Sequence, residues 1–171
     1  MDQEGSAFAP LPLDWETSAV AERRRRFLSP ALASFVAYDE PVVWRRGEGQ
    51  YVWDNEGRRY LDCMAQNVCI SVGHAHPGVL SAVHQQMREL PHVTTAYHHP
   101  QPGHFAEELV ATLPDGPDWV AHFVNSGAEA VDLAVLLARA HTRNYELLAL
   151  RDAYHGMHYG AQTATGIGQA R

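Results

Sequence analysis

Apolar and polar positions change their rhythm three times along the chain. Residues 1–13 are rich in Gly, Ala and Pro and carry no periodic pattern. Residues 14–28 then place Trp15, Ala19 and Val20 at helical spacing behind Asp14, which suits an N-cap. From Val42 the period shortens. Val42-Val43-Trp44, Tyr51-Val52-Trp53 and residues 58–62 are short apolar or alternating runs, separated by Gly47-Glu48-Gly49 and by Asp54-Asn55-Glu56-Gly57. Short runs punctuated by glycine turns predict an antiparallel meander. Beyond His76 the helical period returns. Pro77 fits the first position of a helix reaching to about Leu90, with Val79, Leu80, Val83 and Met87 on one face. A His- and Pro-rich loop spans residues 91–102, and Phe105, Leu109 and Leu113 mark a second helix that residues 114–117 end. Residues 119–124 read as an apolar strand, Asn125-Ser126-Gly127 as a turn, residues 128–141 as a helix and residues 147–150 as a buried strand. That succession predicts a parallel βαβ unit with a right-handed crossover. The expected class is α/β, with an arm and helix over 1–40, a small antiparallel β segment over 41–75, and the start of a large parallel-sheet domain over 76–171.

Composition narrows what such a chain can do. Of its 171 residues 46% are hydrophobic and 19% charged, which is ordinary globular usage rather than a disordered or fibrous one. A chain of this length can bury roughly 70% of its unfolded surface in a core. Thirteen basic residues against twenty acidic ones leave a net charge of −7, a poor potential for general binding of nucleic acid or an anionic membrane. The run Arg23-Arg24-Arg25-Arg26 is accordingly read as the solvated end of a helix. No apolar run reaches the roughly 18 residues needed to cross a bilayer, and the N-terminus lacks a basic leader pattern, so a cytoplasmic protein is expected. All thirteen basic residues are arginine: the chain contains no lysine.

Three places carry candidate chemistry. The first is Phe123 to Ala130, in which an apolar run meets a Ser-Gly turn that opens a helix; its free amides and the helix dipole favour an anion. Ser126-Gly127-Ala128-Glu129 is also a capping box, which needs no ligand. The second is Ala153-Tyr154-His155-Gly156, which follows the next predicted strand. In an open parallel sheet, ligands sit beyond the carboxyl ends of strands, where Tyr154 can stack on a flat ring and His155 can hydrogen-bond or move a proton. The third is the eleven histidines, among them His74, His76, His98, His99 and His104. No His-Glu-x-x-His arrangement is present, and Cys63 and Cys69 are not spaced as metal ligands, so no metal site is expected. Gly166-Ile167-Gly168 is too short for a dinucleotide fingerprint.

Together these segments resemble the class III (subgroup II) aminotransferases, enzymes that use pyridoxal 5′-phosphate (PLP). Phe123 to Ala130 is similar to the family's phosphate-binding turn. Gly49 to Asp62 resembles its N-terminal strands with their Tyr-Leu-Asp, Val72 to Pro77 its Gly-His-x-His-Pro segment, and Ala138 to His141 and Ala153 to Gly156 two further motifs in the same order. Within the family the pattern is nearest the alanine–glyoxylate aminotransferase 2 type. The resemblance covers about residues 28–166 and implies fold type I.

It also implies roles. Ser126, Gly127 and Ala128 would hold the cofactor phosphate, Tyr154 would stack on the pyridine ring, and His155 would lie beside it. The partners implied are an amino donor such as alanine or an ω-amino acid, a 2-oxo acid or aldehyde acceptor such as glyoxylate or pyruvate, and a second copy in a homodimer. Ala128 stands where the family usually has Ser or Thr, and Val131 where Asn is common. The family's Schiff-base lysine, and the aspartate that pairs with the pyridine nitrogen, fall beyond residue 171. The chain therefore reads as the N-terminal portion of an aminotransferase, inactive as it stands, with exposed apolar faces and poor solubility expected. A PLP-dependent phospho-lyase on the same scaffold and a non-catalytic orphan subunit are the alternatives.

Overall fold

The computed structural model describes residues 12–30, 38, 40–114 and 118–167. Most of the expected loose N-terminal segment, part of the 114–117 turn, and Gly168 lie outside them. The chain divides into two compact units, Met1–His92 and Val93–Arg171.

The first unit opens with α1 (Thr17–Phe27). Its cap is Glu16, whose carboxylate accepts the Ala19 N–H at 2.9 Å, so the expectation of Asp14 as cap is corrected by two residues. Asp14 instead accepts the Glu16 N–H at 3.1 Å and organises the approach to the helix. The arginine run lies on this helix, with Arg24, Arg25 and Arg26 in its last turn, where cations complement the helix dipole. Arg25 also pairs with Glu22 at 2.7 Å.

Next comes the predicted meander, β1 (Trp44–Glu48), β2 (Tyr51–Asp54) and β3 (Arg59–Leu61), antiparallel in the order β1-β2-β3. Gly49, at φ +55°, supplies the left-handed residue of the β1–β2 turn. Val42 and Val43 fall just before β1, and the register slips between Trp44 and Arg46. Trp44 meets the Tyr60 ring edge-on at 5.1 Å, and the Arg46 and Arg59 guanidinium groups lie 4.6 Å over the Trp53 and Tyr51 rings.

Asp54 holds the far end of this sheet. Its buried carboxylate accepts the Glu56 and Arg58 backbone N–H groups at 3.0 and 2.9 Å, the Arg58 Nε at 2.8 Å and the Tyr60 hydroxyl at 2.9 Å. Burial pushes the carboxyl upward, but the hydrogen bonds from Arg58 and Tyr60 and the Arg58 charge outweigh it and hold the pKa at about 2. A carboxyl depressed on folding adds stability above its ordinary value, which is lost as pH falls through the folded value. The meander is therefore expected to hold its near-ultraviolet tryptophan signal at pH 5 and to lose it between 3.8 and about 2. Asp54→Asn should move that loss out of the acid range and make the Glu56 and Arg58 amides exchange about ten-fold faster at neutral pH.

Asp62 has a similar task after β3. It accepts the Met64 and Ala65 N–H groups at 3.2 and 2.9 Å, and pairs with His74 Nε2 at 2.7 Å. That pair holds the Asp62 carboxyl below the usual carboxylate range. The chain between them makes α2 (Ala65–Val68), a single turn in which all four residues have positive φ, from +48° to +65°, without one glycine. Left-handed backbone costs roughly 1–2 kcal/mol at each such residue. The Asp62–His74 pair and the mutual Gly49–His74 backbone hydrogen bonds, at 2.9 and 2.8 Å, pin the ends of the segment against that cost. A cavity of about 320 Å³ opens between them, lined by Gln50, Asp62, Ala65, Ile70 and His74. Helix α3 (Pro77–Glu89) follows as predicted, capped by the His76 ring.

In the second unit α4 (Pro100–Val110) begins inside the expected loop. His99 caps it, Pro100 starts it, and it ends before Leu113. Helix α5 (Gly127–Thr142) matches the predicted 128–141, and α6 (Tyr159–Ala164) is a short addition. The two predicted parallel strands are corrected. Neither 119–124 nor 147–150 forms a ladder among the described residues, and Val120, Phe123, Leu148 and Leu150 are exposed rather than buried. The cause is physical: parallel strands are stable where helices cover both faces and neighbours pair both edges, and two apolar runs cannot supply that by themselves.

The expected core is also corrected. Among the described residues only Val43, Val52, Ala161 and Ala164 are buried hydrophobics. Val79, Leu80, Val83 and Met87, on the apolar face of α3, are all exposed.

Candidate functional site

The N-terminal corner of α5 is built by its own sequence. Ser126 is extended, at φ −153° and ψ 159°, and its Oγ accepts the Glu129 N–H at 3.1 Å. Glu129 folds back to accept the Asn125 N–H. The capping box is thus formed, one residue longer than the usual pattern. It leaves the Gly127 and Ala128 amides, at the first two helical positions, without intrahelical acceptors. Ser126 and Gly127 are exposed, and a Cβ built on Gly127 meets nothing within 4 Å. The corner is open, carries two free N–H donors and a hydroxyl, and lies at the positive end of a sixteen-residue helix.

The Tyr154-His155-Gly156 loop comes to the same corner. A Cβ built on Gly156 lies 2.6 Å from the Ala128 Cβ and 2.8 Å from its Cα, so the loop backbone rests directly on the second residue of α5. Gly156 has φ +123°, a region in which side chains are strongly disfavoured. Tyr154 is half exposed. The His155 Nε2 atom is buried and has no hydrogen-bond partner among the described residues. A buried nitrogen in that condition calls for a partner.

Two residues that sequence reasoning missed hold this arrangement. Asp132, one turn along α5, accepts the Ala161 N–H at 2.6 Å and lies 3.8 Å from His158 Nδ1. It is a cap lent by one helix to another, since His158 makes no side-chain cap for α6. Thr165, fully buried, accepts the His155 N–H at 3.0 Å and lies 3.0 Å from the Gly156 carbonyl oxygen. One signal for Asp132 was available: it is the single acid in the run from Ala130 to Ala138. Thr165 lies in a Gly-, Ala- and Thr-rich stretch where nothing distinguishes it.

The histidines scatter. No group of three or more His, Cys, Asp or Glu able to hold a metal occurs among the described residues. The two cysteines are free and exposed. Among the described residues no helix is long and apolar enough to cross a membrane.

The chain as a whole is similar to known proteins. Residues 35–169 match the family model described as Aminotransferase class-III. The chain belongs to the class-III aminotransferases. It is 39% identical over 149 residues to the mitochondrial alanine–glyoxylate aminotransferase 2 of Pongo abelii, covering 87% of this chain and 28% of that protein. Among solved structures it is similar to a phospholyase from Arthrobacter in complex with phosphoethanolamine, at 30% identity and a TM-score of 0.75, covering 87% of this chain and 34% of that one. It is also similar to the ω-transaminase from Pseudomonas jessenii in complex with PMP, at 25% identity and a TM-score of 0.74, covering 88% and 35%. This class-III aminotransferase chain thus spans about a third or less of the proteins it matches. Its backbone follows the transaminase fold, fold type I, although 119–124 and 147–150 form no ladder among the described residues.

Proposed function

We infer that this chain carries the cofactor-phosphate corner of a PLP-dependent aminotransferase. The observation that carries the reading is the open N-terminus of α5, with its free Gly127 and Ala128 amides, packed against the Tyr154-His155-Gly156 loop. A PLP phosphate is met by those amides and the Ser126 hydroxyl, a pyridine ring stacks on Tyr154, and His155 offers its unpartnered nitrogen beside it. PLP, when bound, supplies the electron sink through which an amino group passes between carbon skeletons. The reaction of the complete protein is read as transfer from alanine or an ω-amino acid to a 2-oxo acid or aldehyde such as glyoxylate or pyruvate, in a homodimer. The domain reading is an arm and helix over 1–40, a small β segment over 41–75 and part of the PLP-binding domain over 76–171.

Lysine is absent from all 171 positions, so no internal side chain can act as the amine nucleophile that tethers the cofactor. By itself the chain binds and orients; it does not turn over. A phospho-lyase is the second reading, favoured by the likeness to the Arthrobacter phospholyase, and it uses the same corner.

Titration of the chain with PLP tests this. Saturable, non-covalent binding is expected, with a dissociation constant on the order of 0.1–1 mM, equivalent to about 4–5.5 kcal/mol. Inorganic phosphate should displace it, and borohydride should leave no cofactor on an internal side chain. Absence of binding, or binding indifferent to phosphate, would refute the reading.

A further inference from the structure

Thr165 is wholly buried, and a hydroxyl is placed in such a position only with its hydrogen bonds met. Its Oγ1 touches backbone groups on both sides of it. It accepts the His155 N–H at 3.0 Å, and its own proton is shared between the Gly156 carbonyl oxygen at 3.0 Å and the Ala161 carbonyl oxygen at 3.2 Å. The next residue adds a fourth bond, from Gly166 N–H to the Ala153 carbonyl oxygen at 2.7 Å. The backbone on either side of Tyr154 and His155 is therefore gripped at Ala153, His155 and Gly156, all from the end of α6. The start of α6 is in turn fixed to α5 by Asp132 and the Ala161 N–H. A continuous line of contacts runs from α5 through Asp132, α6 and Thr165 back to the loop resting on Ala128.

We propose that Thr165 is a positioning residue for the cofactor ring: its hydroxyl fixes the Tyr154-His155 backbone relative to the amides at the start of α5, so that one ligand meets its phosphate donors and its ring partners at a set separation. This rests on the PLP reading above. The phosphate corner itself is built by Ser126 and the first turn of α5, whereas the Thr165 hydroxyl bonds to His155, Gly156 and Ala161. Loss of the hydroxyl should then weaken ring recognition while sparing phosphate recognition, which a general loss of folding would not do.

The test compares the unmodified chain with Thr165→Val, which keeps the shape and removes the hydroxyl, and Thr165→Ser, which keeps the hydroxyl. Each is titrated with PLP and with inorganic phosphate, and the circular dichroism of bound PLP reports whether its ring is held in one orientation. Thr165→Val should bind PLP about ten-fold more weakly and lose the induced dichroism, with phosphate affinity within about two-fold of the unmodified chain. Thr165→Ser should recover most of both signals. Unchanged PLP affinity and dichroism in Thr165→Val overturns the proposal, as does equal weakening of both ligands that Thr165→Ser fails to repair. If the unmodified chain binds phosphate but not PLP, the functional reading falls. The grip is then judged by His155 amide exchange, which is slow in the unmodified and Ser chains and about ten-fold faster in Thr165→Val if it exists; a fast amide in the unmodified chain overturns it.

Discussion

Ser126→Asp should lower the affinity for PLP and for inorganic phosphate by roughly 100-fold while α5 keeps its helical signal. Aspartate caps a helix as well as serine does, so the Glu129 N–H retains an acceptor. The new charge sits where the phosphate would. Two like charges about 4 Å apart near a protein surface repel by about 1–4 kcal/mol, and 2.7 kcal/mol is a factor of about 100. Ser126→Gly should cost a few tenths of a kcal/mol in capping and only a few-fold in phosphate affinity, through the lost hydroxyl. Phosphate titration beside far-ultraviolet dichroism separates the two effects. Equal binding by the aspartate variant would mean that the anion sits elsewhere.

Gly156→Ala should remove PLP binding altogether and destabilise the second unit by about 2–5 kcal/mol. Part of the cost is conformational, because an alanine at φ +123° pays about 1–3 kcal/mol in strain. The rest is steric. The new methyl would stand 2.6 Å from the Ala128 Cβ and 2.8 Å from its Cα, atoms of a helix that cannot step aside, so the loop must lift. Gly127→Ala is the matched control. Its methyl meets nothing within 4 Å, and stability should change by less than about 0.5 kcal/mol. Urea unfolding of both variants checks the contrast, and equal stabilities would show that the loop does not rest on α5.

The legible parts of the fold are those with local causes. The meander follows from runs too short for helices, separated by glycine turns; α3 follows from Pro77 and a clear apolar stripe; α5 follows from a cap at Ser126 and a long apolar helix. The candidate corner was legible as local geometry only, since Ser126, Gly127 and Ala128 are one helix start, and Tyr154 and His155 follow one strand-like run. What escaped has distant causes. A strand at 119–124 is a statement about neighbours on both sides, and periodicity within one run says nothing about them. The grip of Thr165 on His155 spans ten residues and that of Asp132 on Ala161 spans twenty-nine, with no pattern linking the partners. The left-handed turn at 65–68 escaped because only Asn67 of its four residues favours positive φ; the cause lies in Asp62 and His74 at either end. Asp14 and Glu16 are both acids at a helix start, and only geometry decides which of them caps.

The contact between Ala128 and Gly156 leaves room for no atom beyond a methyl on one side and a hydrogen on the other. The two positions are consequently a single heritable unit. A descendant that gains a hydroxyl at 128 must turn it away from 156, and one that gains any side chain at 156 must first rebuild the helix start, so the two sides of this contact drift together or not at all.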